Sequence, residues 1–190
     1  MEHLVAARDY AALARRCEDA ELKAPNGIAS PQVYQYLMAA YLLQNELDHA
    51  KLLWERTPPE IKETYTELGG LWEIGKKLWK HEFSEVYQTA RKHSWSDAIR
   101  PLVSALIEAT RNRVLVLISR SYTKIKLDDV ASLTGLSGSD LVQVLNSRGW
   151  EYDGTTNLCT PKPTAPESVQ PKPSQEKLAK LTELVSFLEN

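Results

Sequence analysis

Cysteine, excess charge of one sign and long apolar runs are all scarce in this sequence of 190 residues. The two cysteines, Cys17 and Cys159, lie far apart and form no C-x-x-C pair, so neither a disulfide framework nor a cysteine zinc site is indicated. The net charge of -2 gives no global positive field that would draw the chain to nucleic acid or to an anionic membrane. Apolar stretches such as Val114 to Ile118 are far too short to span a bilayer. Because Met1 to Leu4 also lack the cationic start of a secretory signal, we expect a protein of the cytoplasm and nucleus.

The sequence also lacks the residue spacings that metal binding and catalysis need. Its histidines form no H-x-H, H-E-x-x-H or Cys-His spacing: His3, His49, His81 and His93. No glycine-rich phosphate-binding motif is present. We therefore expect no catalytic, cofactor-binding or metal-binding residues, and no enzymatic activity of the chain's own.

What is present is the composition of a folded protein and a repeated helical pattern. Hydrophobic residues make up 43% of the chain and charged residues 25%, which is ordinary for a globular protein. Apolar residues recur at helical spacing in five segments: Leu4 to Leu22, Ser30 to Gln44, Leu47 to Trp54, Leu68 to Trp79, and Phe83 to Ala90. The second and third of these are joined by almost no loop, which is typical of an antiparallel helical hairpin. The first half of the chain is therefore predicted to be an α-solenoid of stacked helical hairpins.

Three details of this half carry further expectations. The tryptophans on the apolar stripes, Trp54, Trp72 and Trp79, are predicted to lie in the core. Pro58-Pro59 is expected to stop the third helix. The basic clusters Lys76-Lys77 and Arg111-Asn112-Arg113 have the pattern of solvated helix faces.

A longer helix is predicted next, capped by Ser96-Asp97 and reaching about Ser119. Pro101 is expected to kink or restart it, because proline lacks the donor that a helix interior needs. Val114 to Ile118, taken alone, also fits a strand.

The pattern after Tyr122 is that of a winged helix, a helix-turn-helix with a two-stranded wing. The predicted order is a strand, two short helices and a hairpin: Tyr122 to Lys126, Asp128 to Leu133 ended by Gly135, Ser137 to Gly149, and then Trp150 to Tyr152 with Asn157 to Thr160. A wing offers an edge strand that can pair with a strand of another chain. Ile125 and Leu158 are predicted to present this edge.

A winged helix can also read DNA, and here the charges argue against it. Ser119 to Thr160 contains four basic residues and five acidic ones, and the second short helix has no arginine or lysine before Arg148. Phosphate neutralisation normally supplies a large share of the affinity for DNA. A winged-helix transcription regulator is therefore kept only as an alternative.

The end of the chain is predicted to be an amphipathic helix on a tether. Five of the ten prolines lie between Thr160 and Ser174, which indicates a semi-rigid linker. The helix from Gln175 to Asn190 carries an apolar ridge predicted to bind partner helices: Leu178, Leu181, Leu184, Val185 and Leu188. An isolated helix of this length is marginal in water, so the ridge must dock either on partners or on the chain's own solenoid. We favour partners because the tether is long.

Helical pairs, a winged helix and a terminal helix occur in this order in PCI-type subunits of the proteasome lid, the COP-nine signalosome and a translation initiation factor. The sequence resembles in particular the branch of the signalosome's eighth and smallest subunit. The resemblance lies in these segments: Glu21 to Ala29, Tyr41 to Arg56, Glu67 to Trp72 with Gly75 and Trp79, Trp95-Ser96, Gly149-Trp150, and Leu181 to Asn190.

This resemblance implies a mainly α fold with four parts. They are the helical-repeat part of a PCI domain at 1–119, a winged-helix subdomain at 120–160, a proline-rich linker at 161–174 and an assembly helix at 175–190.

The resemblance also implies a non-catalytic scaffold subunit of the assembly that removes a ubiquitin-like modifier from cullin ubiquitin ligases. Winged helices of several subunits would pair edge to edge and their C-terminal helices would form a bundle, with this chain at one end of the row beside the third subunit. The metalloprotease activity would belong to another subunit. No cofactor, specific nucleic acid or membrane is expected as a partner. A subunit of the proteasome lid or of the translation initiation complex is the alternative within the same class.

Overall fold

The computed structural model describes residues 2–25, 28–153 and 157–162, together with the single positions 182, 185 and 186. The helices in this part of the chain are α1 Glu2–Ala6, α2 Tyr10–Leu22, α3 Pro31–Gln44, α4 Leu47–Arg56, α5 Pro59–Thr64, α6 Thr66–Trp79, α7 Phe83–Lys92, α8 Arg100–Ser121, α9 Leu127–Thr134 and α10 Gly138–Ser147. The strands are β1 Ile125–Lys126, β2 Glu151–Asp153 and β3 Leu158–Thr160. The mainly α fold predicted from the sequence is confirmed.

The helical half is built around α3, which packs against α2, α4, α6 and α8. Every residue of α3 from Val33 to Leu43 is buried, so this helix is covered by other elements on all sides, as a central helix must be. Asn45 ends α3 with a left-handed backbone (φ 62°), and α4 begins two residues later. This tight reversal produces the helical hairpin that the short connection predicted.

The first predicted helix is divided in two, which corrects the single helix expected from Leu4 to Leu22. Arg8 has a positive φ of 55° between α1 and α2. Asp9 then caps the new helix, because its Oδ1 accepts a hydrogen bond of 2.9 Å from the amide of Ala12. Asp9 is therefore a start signal inside an otherwise continuous apolar stripe.

Prolines lie at helix boundaries in this structure, and α4 ends at Arg56, just before Pro58-Pro59, as expected. Pro59 opens α5, a helix the sequence analysis did not predict, and Pro101 lies in the first turn of α8. Proline is tolerated in a first turn because the amide that it lacks would have no helical partner there. Since α8 begins at Arg100 and not at Ser96, the predicted start at Ser96-Asp97 is wrong. Of the two outcomes expected for Pro101, a kink or a restart, the structure has a helix that starts there. Val114 to Ile118 are helical, which excludes the strand.

The tryptophans differ in their burial more than the apolar stripes predicted. Trp54 and Trp72 are half-buried, and their rings stack with centroids 5.6 Å apart. Trp79, at the end of α6, is 50% exposed, so its predicted place in the core is wrong. The helical stripe puts Trp79 on the correct side of α6, but the helix ends there and nothing in the described chain covers the ring fully.

Helix α8 joins two hydrophobic clusters. Its first half contributes Leu102 and Leu106 to the cluster of the helical repeat. Its second half contributes Val114, Leu115 and Ile118 to the cluster of the winged helix. A single continuous helix therefore enters both cores.

Polar contacts also connect the two cores. The hydroxyl of Tyr87 donates to the carbonyl of Leu133 at 3.3 Å, and burial raises the pKa of Tyr87 to about 12. Arg111 donates through Nε to the carbonyl of Thr134 at 3.0 Å, with its guanidinium 5.4 Å from the centre of the Tyr87 ring. These contacts join α7 and α8 to the end of α9.

The basic cluster at positions 111–113 is therefore not a solvated helix face. Arg113 donates to the carbonyls of Leu42 and Leu43 in the last turn of α3, where the helix cannot supply all of their usual partners; Leu42 also accepts from the amide of Asn45. Burial lowers the pKa of Arg113. Asn112 accepts a hydrogen bond of 2.8 Å from Arg148 of the winged helix. The sequence expectation for this cluster is corrected, because each side chain binds a defined partner.

Candidate protein-interaction surfaces

The winged helix forms a three-stranded antiparallel sheet in the order β1-β3-β2. Ile125 lies opposite Cys159, and Tyr152 lies opposite Cys159 on the other side. The strand β3, which comes last among the described strands, is therefore the central one. Among the strands that the structure describes, β1 and β2 each pair only with β3, so they form the two edges of the sheet.

Strand β2 is anchored by a buried residue that precedes it, and its own three residues are exposed. The left-handed Gly149 (φ 67°) ends α10, and the buried Trp150 then fills the core under the sheet. Glu151, Tyr152 and Asp153 follow, and all three are exposed. A strand with its own core anchor and an uncovered edge can receive a strand from another chain.

Neither predicted wing residue belongs to this exposed strand: Ile125 lies on β1, and Leu158 lies on β3 opposite Asp153 of β2. The side chain of Ile125 is only 6% exposed and packs in the winged-helix core, so only its backbone lies at the β1 edge. Leu158 is half-buried on the central strand, where both neighbouring positions are occupied. Their role in partner binding stays a prediction, and the geometry limits it to the β1 backbone for Ile125 and to the sheet face for Leu158.

The two edges carry opposite charge. Lys124 and Lys126 are exposed at β1, whereas Glu151 and Asp153 are exposed at β2. Side-chain charge at a strand edge favours a complementary neighbour and discourages pairing of like edges. The acidic edge at β2 would therefore favour a neighbouring strand that carries basic side chains.

The base of the hairpin is tied to the start of α9. The amide of Leu127 donates to the carbonyl of Asn157 at 3.0 Å, and Nδ2 of Asn157 donates to Oδ2 of Asp128 at 2.9 Å. These two bonds fix the position of β3 and, through it, of β2.

Helix α10 is the one that a DNA-binding winged helix would place in the major groove. It contains no arginine or lysine between Gly138 and Ser147. Arg148, which follows it, binds Asn112. The geometry therefore adds nothing in favour of the transcription regulator kept as an alternative.

Most of the predicted C-terminal ridge lies outside the described residues: Leu178, Leu181, Leu184 and Leu188. Val185 is described, and it is helical and 51% exposed. Thr182 and Ser186 are helical and exposed as well. The only described member of the ridge thus presents half of its side chain to solvent.

The part of the chain that the structure describes offers neither a metal-binding cluster nor a membrane-spanning helix. It contains no group of three or more histidine, cysteine or acidic side chains that could hold a metal ion. None of its helices is long and apolar enough to cross a membrane. His49 faces Glu46 at 3.2 Å and His93 faces Glu73 at 3.4 Å, both as pairs at the surface.

A stack of helical hairpins that passes through one long helix into a winged helix is the architecture of a PCI-type assembly subunit. The family model described as CSN8/PSMD8/EIF3K matches residues 28–170. The chain belongs to this family.

The relatives cover nearly the whole chain. It is 43% identical over 178 residues to the COP9 signalosome complex subunit 8 of Xenopus tropicalis, covering 94% of this chain and 92% of that protein. The subunit of the same name from Danio rerio is 39% identical over 91% of both chains. The one from Arabidopsis thaliana is 30% identical over 100% of this chain and 98% of that protein. The resemblance found in the sequence segments is thereby confirmed.

Proposed function

We propose that this chain is a non-catalytic assembly subunit of a COP9 signalosome, and that it supports cullin deneddylation and so the regulation of cullin-RING ubiquitin ligases. The observation that carries the proposal is the near full-length similarity to proteins named COP9 signalosome complex subunit 8 in animals and a plant. The match extends through the helical repeat, the winged helix and the C-terminal segment together.

Two surfaces serve assembly in this proposal. The winged helix pairs edge to edge with that of a neighbouring subunit, and the third subunit is the proposed neighbour. We assign this contact to β2, because its three residues are exposed and Trp150 anchors it from below. Ile125 and Leu158 then support the sheet that presents the edge.

The second surface is the C-terminal ridge, which enters a helical bundle formed by several subunits. Its residues are Leu178, Leu181, Leu184, Val185 and Leu188. The exposure of Val185 supports this role, because an aliphatic side chain gains about 1.5 to 3 kcal/mol when it is fully buried. The chain needs no cofactor, specific nucleic acid or membrane for this function, and we propose that it acts in the cytoplasm and nucleus.

Affinity purification of the tagged full-length chain, followed by mass spectrometry, tests the function. We expect the other signalosome subunits to co-purify in a particle of several hundred kilodaltons. Recovery of proteasome lid or initiation-factor subunits instead would contradict the assignment within the class. Salt-sensitive binding of the purified chain to duplex DNA, without signalosome subunits, would favour the transcription regulator.

The double variant Leu181→Asp/Val185→Asp tests the ridge in the same experiment. Placing two carboxylates in an apolar bundle should reduce incorporation at least tenfold, because buried unpaired charges are costly. The matched control Leu181→Ile/Val185→Ile keeps the ridge apolar and should incorporate normally. Normal incorporation of the aspartate variant would remove the ridge from the proposal and leave the function itself standing.

A further inference from the structure

A groove between α4 and α6 is separate from both surfaces above. Its lining residues are Leu47, Ala50, Lys51, Trp72, Gly75, Lys76, Trp79 and Lys80. None of these eight belongs to the winged helix or to the C-terminal ridge. The groove therefore needs an explanation of its own.

The floor of the groove is apolar and closely fitted. Gly75 allows α6 to approach α3, because a Cβ added there would come within 3.2 Å of Cδ2 of Leu42. Trp72 is fixed by its stack on Trp54, whose ring also lies 5.1 Å from Nζ of Lys62. The floor is thus rigid before anything binds, which lowers the entropic cost of binding.

Trp79 forms an exposed wall of this groove. Of the five tryptophans, all of which lie in the described part of the chain, it is the only exposed one. A half-exposed tryptophan beside a preformed apolar floor is the kind of residue that contributes most to binding when a partner covers it.

The rim of the groove is basic although the whole chain is slightly acidic. Lys51, Lys76 and Lys80 line it, and none of the eight lining residues carries a negative charge. Lys51 has only a distant contact of 4.0 Å with Glu55. Lys77, which does not line the groove, forms ion pairs with Glu82 and Glu85, and the charge of Lys80 also helps to lower the pKa of Glu82. Charge complementarity therefore calls for an acidic occupant.

The size of the groove indicates what kind of occupant fits. Its volume is about 220 Å³. Sites for drug-sized ligands have about 300 to 1,000 Å³. This smaller space suits one bulky apolar side chain presented by a larger molecule, as when an amphipathic helix lays its apolar face in a groove.

We infer that the α4–α6 groove is a docking site for an acidic amphipathic segment of a partner protein. A large apolar side chain of that segment fills the space against Trp72 and Trp79, and its carboxylates face Lys51, Lys76 and Lys80. This contact adds an interaction in the helical repeat to the two assembly surfaces, and it does not depend on either of them.

The test follows the indole N–H signals of the full-length chain by NMR during titration with a synthetic peptide. The peptide is a 16-residue amphipathic helix with leucine and phenylalanine on one face and glutamate on the other. We expect it to shift the signal of Trp79, assigned by Trp79→Phe. The same peptide with lysine in place of glutamate should bind at least tenfold more weakly. No shift of Trp79 at 1 mM peptide, or equal binding of the lysine peptide, overturns the proposal.

Charge reversal in the chain supplies the matched comparison. Lys76→Glu/Lys80→Glu should weaken binding of the glutamate peptide at least tenfold. The control Arg91→Glu/Lys92→Glu reverses two exposed basic residues at the end of α7, and it should leave binding unchanged. If both variants lose the same affinity for the glutamate peptide, the peptide is attracted only by the net charge of the chain, and the proposed site is wrong.

A second peptide tests the other possible occupant of the groove, which is the chain's own C-terminal segment. A synthetic peptide of residues 175–190, added to the full-length chain, should leave the Trp79 signal in place. If it shifts that signal and displaces the glutamate peptide, the groove holds the chain's own tail and the inference of a partner is wrong.

Discussion

Two constraints require glycine at position 135: its left-handed backbone and the close approach of a neighbouring side chain. Gly135 has φ of 63°, a conformation that costs side-chain-bearing residues about 1 kcal/mol. A Cβ at this position would also lie 2.5 Å from Cδ2 of Tyr87. Because Tyr87 is buried and its hydroxyl binds the carbonyl of Leu133, the ring has little room to move away. This single residue therefore controls how closely α9 packs on α7.

The variant Gly135→Ala should lower the free energy of unfolding by about 3 kcal/mol, the sum of backbone strain and an overpacked contact. The chain provides a matched control in Gly138, which has φ of 58° but no atom within 4 Å of an added Cβ. Gly138→Ala should cost only the backbone part, about 1 kcal/mol. Urea unfolding of the full-length variants measures both values. Equal losses would mean that the contact with Tyr87 contributes nothing.

At the scale of the element, the sequence predicted helix boundaries where a residue with a clear local preference marks them. Gly135 and Gly149 could be recognised as helix ends, because glycine is the usual residue in the left-handed position. Arg8 adopts a left-handed backbone without any such signal, so the division between α1 and α2 was missed. Pro101 does not define a helix boundary by itself, because proline breaks a helix interior but is favoured in a first turn.

The sheet shows a second limit of sequence reasoning. The hairpin was predictable from Trp150 to Thr160, because its alternation and turn residues are local features. The position of β1 beside β3, and not beside β2, depends on pairing between segments more than thirty residues apart. The choice of the exposed edge follows from that strand order. The exposed edge could therefore not be predicted from the sequence. The partial exposure of Trp79 could not be predicted either, because it depends on what packs around the end of α6.

The exposed edge leads to a prediction about charge. If β2 meets the neighbouring winged helix, Glu151→Lys/Asp153→Lys should weaken incorporation into the assembly by about tenfold, because like charges would face each other across the new strand pair. The control Lys124→Glu/Lys126→Glu changes the opposite edge and should incorporate normally, since a subunit at the end of a row uses one edge. Competition between tagged variant and wild-type chains for the purified assembly measures the difference. A loss confined to the β1 variant would assign the contact to the other edge.

At the scale of the whole molecule, α8 makes the helical repeat and the winged helix mechanically dependent on each other. The helix enters both cores, and Phe83 packs against both clusters as well. The bonds from Tyr87 and Arg111 to the end of α9 cross the same boundary. Separating the two parts would expose apolar surface and leave these polar groups without their partners, which is costly. The predicted boundary between residues 119 and 120 lies within α8, and we expect the two parts not to fold independently.

The described part of the chain should accordingly unfold in one cooperative step. Trp95 reports on the first core and Trp150 on the second, and incorporation of 5-fluorotryptophan gives each a separate fluorine NMR signal. Leu53→Ala removes a fully buried side chain from the first core, and Leu145→Ala does so in the second. Each variant should lower the urea midpoint of both tryptophan signals equally, with a loss of about 2 to 5 kcal/mol, because a cavity in either core destabilises the single folded state. If Leu145→Ala shifts the transition of Trp150 and leaves that of Trp95 unchanged, the winged helix opens alone and α8 does not couple the cores.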